Sequence, residues 1–302
     1  MHTRNGSART MNLALIERLR EDFAYASYFG FVHGGESLAS RDVLFEVLDA
    51  IKRSKAGMPH VVHLLSNGML LSETVVRRLV SLGVNSLSVS LDGATSDVND
   101  AIRRGGRFER ILENLRGVVR IRKELGADLR VGVSHVLMRG NLERASEMAS
   151  LCAQLGVDWL KLEELVPRGD FAKTQMIEHE ERVRATAKDV GSRAKALGLR
   201  VVDHTQGLVP YRCQVKGDDG LREFLEADEY ANRSEIDPCR AHWELACIDP
   251  NGDLRIGDFY NPVVGNLMVS TLQEIWCSME AQAHRDRQLE GRPCGRGAMR
   301  CL

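Results

Sequence analysis

The stretch FGFVHGGESLASRDVLFEVLDAIK, residues 29–52, decides how this chain folds. Phe29 to Val32 form an apolar run of strand length, which stops at Gly34-Gly35-Glu36. From Arg41 onward the apolar residues return at spacings of three and four, the signature of an amphipathic helix, with Ser40 placed to cap it. A strand that ends on two glycines and a carboxylate and passes into a helix is the first half of a βαβ unit.

The same unit recurs outward from this stretch. HVVHLLSNG (60–68) leads into SETVVRRLVSLG (72–83), where Gly83 stops the helix. VNSLSVSLDG (84–93) is followed by RFERILENLRGVVRIRKELG (107–126), then DLRVGVSHVLM, NLERASEMASLCAQLG and VDWLKLEELV up to residue 166. EERVRATAKDVGSRAKALG and LRVVDHT complete the series at 205, and MNLALIERLREDF (11–23) precedes it as a helix. Strands alternating with helices of this length predict right-handed crossovers and a parallel sheet, either a barrel or a doubly wound sheet. Residues 207–236 are charged and aperiodic and read as a connection. From Pro238 the pattern changes to short strands, turns and cysteines, so a smaller domain is expected over 237–302, after a main domain at 11–206 and a polar segment at 1–10.

Bulk composition narrows the function. Across 302 residues, 41 Lys+Arg against 42 Asp+Glu give a net charge of −1, which provides no global field for nucleic acid or an anionic membrane. No apolar run is long enough to span a bilayer, and MHTRNGSART has no apolar core of a signal peptide, so a cytoplasmic location is expected. Seven cysteines, an odd number, argue against a disulfide framework and for metal binding or burial. Only Cys152 lies outside the last third of the chain.

Ligands of parallel α/β folds sit at the C-terminal ends of strands. There this chain places Gly34, Gly35 and Glu36, then Ser66, Asn67 and Gly68, then Ser90, Asp92 and Gly93. Glycines admit a ligand close to the backbone, and a carboxylate beside them pairs with an ammonium group. Asn67, Ser90 and Asp92 add hydrogen-bonding groups suited to an amino acid or a ribose. Each dipeptide alone is an ordinary turn; three in succession at consecutive strand ends point to a site.

Taken together, HGGES, SNGMLLSETVVRRLVSLGVNSLSVSLDGATSDVNDAIR and RFERILENLRGVV resemble a radical S-adenosylmethionine (SAM) enzyme, a likeness that covers most of residues 11–165. The resemblance implies a partial (β/α)6 TIM-like barrel. Glu36 would hold the methionine ammonium of SAM, Ser90 its carboxylate or ribose, and Arg103 in AIRRGG its carboxylate, with Ser66, Asn67 and Asp92 around the same mouth. The family motif reads GGEP; here Ser37 replaces the proline, which costs rigidity and no chemistry.

Family chemistry also requires a [4Fe–4S] cluster on CxxxCxxC after the first barrel strand, which reduces SAM to a 5′-deoxyadenosyl radical that abstracts hydrogen from the substrate. This chain has no cysteine before Cys152 and no strand before Met11. Two readings follow: an N-terminally truncated enzyme, inactive as given, or a cluster-free binding or accessory protein that retains the SAM or peptide pocket. Loss of a first strand predicts an exposed edge and apolar face, prone to aggregation.

DPCRAHWELACIDPNGDLRIGDFYNPVVGNLMVSTLQEIWCS resembles the SPASM extension of radical SAM maturases, which carries auxiliary iron–sulfur clusters. Cys239 and Gly252 match that pattern, Gly257 stands where its second cysteine belongs, and Cys294 and Cys301 fall where further ligands occur. A small β-hairpin domain without a cluster is the competing reading. Cys247 is expected to be buried and Cys277 structural. The resemblance implies a peptide or small biosynthetic intermediate as substrate, with an electron donor such as flavodoxin or ferredoxin.

Three other features complete the reading. His33, His63 and His135 lie in strand patterns, as core or mouth histidines do. Lys161 on the last SAM-like strand offers Schiff-base chemistry as an alternative enzyme reading, while Glu163 and Glu164 straddle the two faces of that strand. EHEERVRATAKDVGSRAK reads as a solvated helix face.

Overall fold

A computed structural model describes residues 10–32, 35–103, 105–165, 169–177, 179–205, 241–258 and 261–289. The predicted connection at 207–236 therefore lies outside the described residues, as do Gly34, His33, Cys239, Cys294 and Cys301.

Six strands, β1 (Tyr28–Phe31), β2 (Val61–Ser66), β3 (Ser86–Ser90), β4 (Arg130–Leu137), β5 (Trp159–Glu164) and β6 (Arg200–His204), form one sheet in the order 1-2-3-4-5-6. Every adjacent pair is parallel. A doubly wound sheet reverses its strand order at a switch point; sequential order without reversal is the progression of a (β/α) barrel.

The strands explain why the sheet is covered on one side and curls on the other. Leu64, Leu87, Val89, Val131, Val133, Leu160, Leu162 and Val201 join the main hydrophobic core. Against them pack α2 (Arg41–Ser54) through Leu44, Val47, Leu48 and Ile51, α3 (Glu73–Ser81) through Val75, Val76 and Leu79, and α5 (Phe108–Leu125) through seven buried residues from Phe108 to Ile121. Because strand side chains alternate, the neighbours of those residues face the concave side. There stand His63, Ser86, Ser88, Gly132, Ser134, Trp159, Lys161, Glu163, Val202 and His204, brought alongside one another by the parallel register. His63, Ser86, Ser88 and Ser134 are buried even so, which marks the concave face as the interior of a partial barrel. Gly132 is required there: a Cβ on it would lie 2.0 Å from the indole of the buried Trp159.

Ser40 occupies the N-cap of α2 but makes no capping bond; its hydroxyl pairs instead with that of Thr10 at 3.0 Å. Gly83, with φ +92°, terminates the α3 segment as expected.

The C-terminal unit contains the antiparallel strands β7 (Ala246–Ile248), β8 (Asp253–Ile256) and β9 (Gly265–Asn266) and a helix Leu272–Trp276 with a Thr271–Glu274 capping box. It packs on α1 (Leu13–Leu19), where Asn12 N–H donates to Pro250 O at 3.2 Å. Leu254, Ile256, Leu267 and Ile275 belong to the same core cluster as Leu15.

β1 is the edge of the sheet among the described residues. None of its four residues is fully buried; Phe29 and Phe31 are half-buried against the core, and the Phe23 and Phe29 rings meet edge to face at 5.6 Å.

Candidate functional site

The loop after β1 delivers Glu36 to the C-terminal rim of the sheet. Its carboxylate caps the following turn, Oε1 accepting from Leu38 N–H at 3.2 Å and from the Ser66 hydroxyl at 3.0 Å, while Oε2 accepts from Asn67 N–H at 2.7 Å. Glu36 is only 9% exposed, and among the described residues its charge meets these three neutral donors and no cation. A carboxylate accepts about four hydrogen bonds, so one direction remains for a ligand donor. Gly35 beside it has φ +136°, is exposed, and would place a Cβ in open space, so the backbone there is accessible to a bound molecule.

The other glycines of the rim have a different role. A Cβ on Gly68, at φ +79°, would meet Ile111 at 2.7 Å and Val89 at 2.9 Å; on Gly93 it would meet Asn99 N at 2.6 Å. They let α5 and α4 (Ser96–Ile102) approach the strand ends, and Asn114 Nδ2 locks the Gly68 loop by donating to Gly68 O at 2.7 Å.

Ser66 and Asp92 also differ from expectation. Ser66 is buried behind Glu36 rather than lining the mouth, its hydroxyl donating to Glu36 and accepting from Gly68 N–H at 3.1 Å. Asp92, 3% exposed, spends both oxygens on the protein: Oδ1 accepts from Val136 N–H at 3.0 Å and Oδ2 pairs with Arg103 Nε at 2.7 Å. It therefore aims Arg103, whose side chain is 28% exposed, while being almost fully buried itself. Asn67 turns its Oδ1 back onto Met69 N–H at 2.9 Å. Ser90 is half-buried on the concave face, in register with Ser134.

Sequence reading missed the buried amides that hold this rim. Asn99 Oδ1 accepts from Asp92 N–H at 3.1 Å, and Asn141 Nδ2 donates to Asp92 O and Val136 O, both at 2.9 Å. It also missed a polar cluster inside the barrel, for which the alternation of β5 was the available signal. Lys161 forms an ion pair with Glu163, and His204 Nδ1 lies 3.9 Å from Glu163 Oε2. Burial pushes the Glu163 carboxyl up, but the Lys161 ammonium and then His204 outweigh it and hold the group well below the usual carboxylate range. His63, bonded through Nδ1 to the Ser86 hydroxyl at 2.8 Å, is pushed down to about 3 by burial and then by the Lys161 charge. His135 is fully buried with Nδ1 on Leu91 O at 2.9 Å, as a core histidine. Lys161 in an ion pair of this kind carries no signature of a Schiff-base lysine, whose amine must be neutral.

The rim suits the zwitterionic end of an amino acid: Glu36 for an ammonium, Arg103 and Ser90 for a carboxylate, and open backbone at Gly35 next to Glu36. The methionine part of SAM is such a group, and the residues present fit it. They do not fit the reducing cluster of that chemistry, since no cysteine precedes Cys152, and Cys152 is fully buried in the core with its thiol pushed up by burial. In the C-terminal unit, Gly257 occupies a ligand position of the SPASM pattern, and a Cβ there would lie 3.0 Å from the buried His242 ring. Cys247 is half-buried and Cys277 exposed, against the expectation of burial for the first. No group of three or more His, Cys, Asp or Glu able to hold a metal occurs among the described residues.

Comparison with known proteins agrees with this geometry. The profile of the radical SAM superfamily matches residues 2–159, and that of SPASM, an iron–sulfur cluster-binding domain, matches 239–301. The AdoMet-dependent heme synthase of Methanosarcina barkeri is 36% identical over 137 residues, 45% of this chain and 36% of its own. Mycofactocin maturase MftC of Mycobacterium tuberculosis is 31% identical over 141 residues, 46% of this chain and 32% of that one. The matched segment thus spans about a third of the length of these relatives. Among solved structures, anSMEcpe with bound AdoMet has a TM-score of 0.64 at 13% identity, covering 93% of this chain and 76% of its own. Streptococcus suis SuiB bound to precursor peptide SuiA also scores 0.64, at 16% identity, covering 92% of this chain and 61% of that one; identities this low establish the fold alone. With a superfamily match over more than half of its length, a sequential parallel sheet and a GGE-type rim, the chain belongs to the radical SAM superfamily and carries a SPASM-type C-terminal extension.

Proposed function

We propose that the strand-end rim binds SAM, with Glu36 accepting from the methionine ammonium, Arg103 and Ser90 holding the carboxylate or ribose, and Gly35 admitting the ligand to the backbone. The observation that carries this reading is Glu36 itself: a buried carboxylate fixed by three neutral donors, beside open glycine backbone, with no ion-pair partner among the described residues. Bound SAM supplies the family with a 5′-deoxyadenosyl radical once an iron–sulfur cluster has reduced it. The cluster's cysteines are not supplied by residues 1–151, so hydrogen abstraction is assigned to an assembly that contains them, with an electron donor of the flavodoxin or ferredoxin type. The concave face would take a peptide or small biosynthetic intermediate, as the peptide partner of SuiB and the maturase name of MftC suggest.

A second reading, binding without cleavage, is favoured by the intact rim in a chain without the cluster motif. Equilibrium dialysis with radiolabelled SAM, alongside iron and sulfide analysis after anaerobic reconstitution, separates the two. SAM retention with negligible iron supports binding alone for these 302 residues; SAM retention with roughly four iron atoms per chain would demonstrate a cluster built on other cysteines. No retention of SAM overturns both.

A further inference from the structure

The barrel interior holds a charged group that the rim does not use. Lys161 projects from β5 to the concave side, with its side chain 17% exposed, and Glu163 on the same strand is its ion-pair partner. An ammonium has three donors, and one carboxylate does not use them all. His63 of β2 faces the same concave side, and burial first, then the Lys161 charge, push its ring down. Between these strands the concave face carries small polar residues, Ser88 on β3 and Ser134 on β4, the latter in register with Lys161. Both are buried, and both present hydroxyls rather than bulk toward the interior. A half-buried ammonium whose ion-pair carboxylate does not take all three of its donors, with Ser134 in register on the neighbouring strand, is complementary to an anionic oxygen acceptor.

We propose that Lys161, with the Ser134 hydroxyl beside it and His63 opposite, forms a carboxylate-binding subsite inside the barrel, so that the substrate of this protein bears a carboxylate. Glu163 and His204 position the ammonium rather than contact the ligand: Glu163 fixes it on the strand, and His204 flanks Glu163 from β6. Lys161 lies on β5 and Glu36 follows β1, at opposite ends of the strand order, so a carboxylate anchored at Lys161 is distinct from the ammonium position at Glu36. The inference rests on the SAM reading only for the identity of the second ligand; carboxylate binding is measurable without SAM.

The test uses the full chain with three probes: succinate, a short N-acetylated and C-amidated peptide containing one internal glutamate, and the same capped peptide with glutamine in its place. Binding is followed by thermal shift and by protection of Lys161 from reductive methylation, read by mass spectrometry. The expected result is protection of Lys161 by at least fivefold with a carboxylate probe and not with the glutamine peptide. Protection by the glutamate peptide alone assigns the carboxylate to a peptide side chain; protection by succinate assigns it to small acids. Lys161→Met leaves Glu163 unpaired and risks misfolding, so the neutralised pair Lys161→Met/Glu163→Gln is the working variant, with Lys161→Arg as rescue. The thermal shift should vanish in the pair variant and return at least in part with Lys161→Arg. Equal protection by the glutamine peptide, no protection by any probe, or a shift that persists in the pair variant overturns the proposal. A separate SAM titration on the same samples reports on the rim, so loss of SAM binding with intact Lys161 protection would count against the rim alone.

Discussion

Replacing Glu36 by glutamine separates its structural duty from its proposed ligand duty. The carboxylate receives Leu38 N–H and the Ser66 hydroxyl on one oxygen and Asn67 N–H on the other. A glutamine oxygen placed at Oε1 keeps the first two donors, but its NH2 then faces Asn67 N–H, and the 2.7 Å bond becomes two opposed donors. In the flipped rotamer the Asn67 bond survives and the Leu38 N–H loses its acceptor. Either way one buried donor is left unpaired at about 2 kcal/mol, a fall in Tm of about 4 °C for a chain of this size. SAM loses more, because a charge-assisted bond to its ammonium disappears: about 2–4 kcal/mol, or roughly 30-fold to 1000-fold in Kd. Differential scanning fluorimetry and isothermal titration on the same preparation read the two effects. A Tm loss of the expected size with an unchanged Kd for SAM would refute the ligand role and leave Glu36 as a turn cap.

Other consequences are equally open to measurement. Gly132→Ala drives a methyl into the Trp159 indole and is expected to cost about 3 kcal/mol in chemical denaturation, with a coupling of at least about 1 kcal/mol when combined with Trp159→Leu. Asp92→Asn removes the counter-charge of Arg103 at 2.7 Å and is expected to cost about 2 kcal/mol, weakening SAM roughly 3- to 10-fold as Arg103 loses its aim. His63 is pushed down to about 3 in the folded chain, so the unfolded chain takes up its proton first as pH falls. Its contribution is complete above about pH 6.5 and declines toward pH 3, reaching a loss of about 2 kcal/mol at pH 5; His63→Gln should flatten that part of the denaturation profile. Glu163, held low, contributes above about pH 4.5 and loses that contribution in a more acidic window, so the two slopes are separable.

Much of this architecture was legible because the strands are short, buried and separated by helices with a clean apolar stripe. The stretch from Phe29 to Lys52 already held the strand, the glycine-carboxylate stop and the helix, and all six strands were legible in order. Periodicity could not choose between a barrel and a doubly wound sheet, since both share the βαβ unit; that choice depends on which strands are neighbours. At the site, Glu36 was legible because a carboxylate after two glycines is unusual at a strand end. For Asp92 and Ser66 the orientation was not legible: polarity at a strand end does not tell which way a short side chain turns, and here both bond within the protein, to Arg103 and Glu36. The amides Asn99 and Asn141 sit within ordinary helix and turn patterns, so nothing local marks them as struts. Lys161 and Glu163 were visible only as alternating positions, and their meeting with His204 and His63 required the register of the sheet. In the C-terminal unit, Gly257 was recognised as a departure, but only the fold places the His242 ring against it.

The central claim is that Glu36 holds the methionine ammonium of SAM, and a crystal structure of the chain grown with excess SAM tests it most directly. The account predicts the SAM nitrogen about 2.7–3.2 Å from a Glu36 oxygen, with the adenosyl methionine running over Gly35 and its carboxylate toward Arg103 or Ser90. SAM bound elsewhere on the chain, or density at the rim with the ammonium turned away from Glu36, would contradict it.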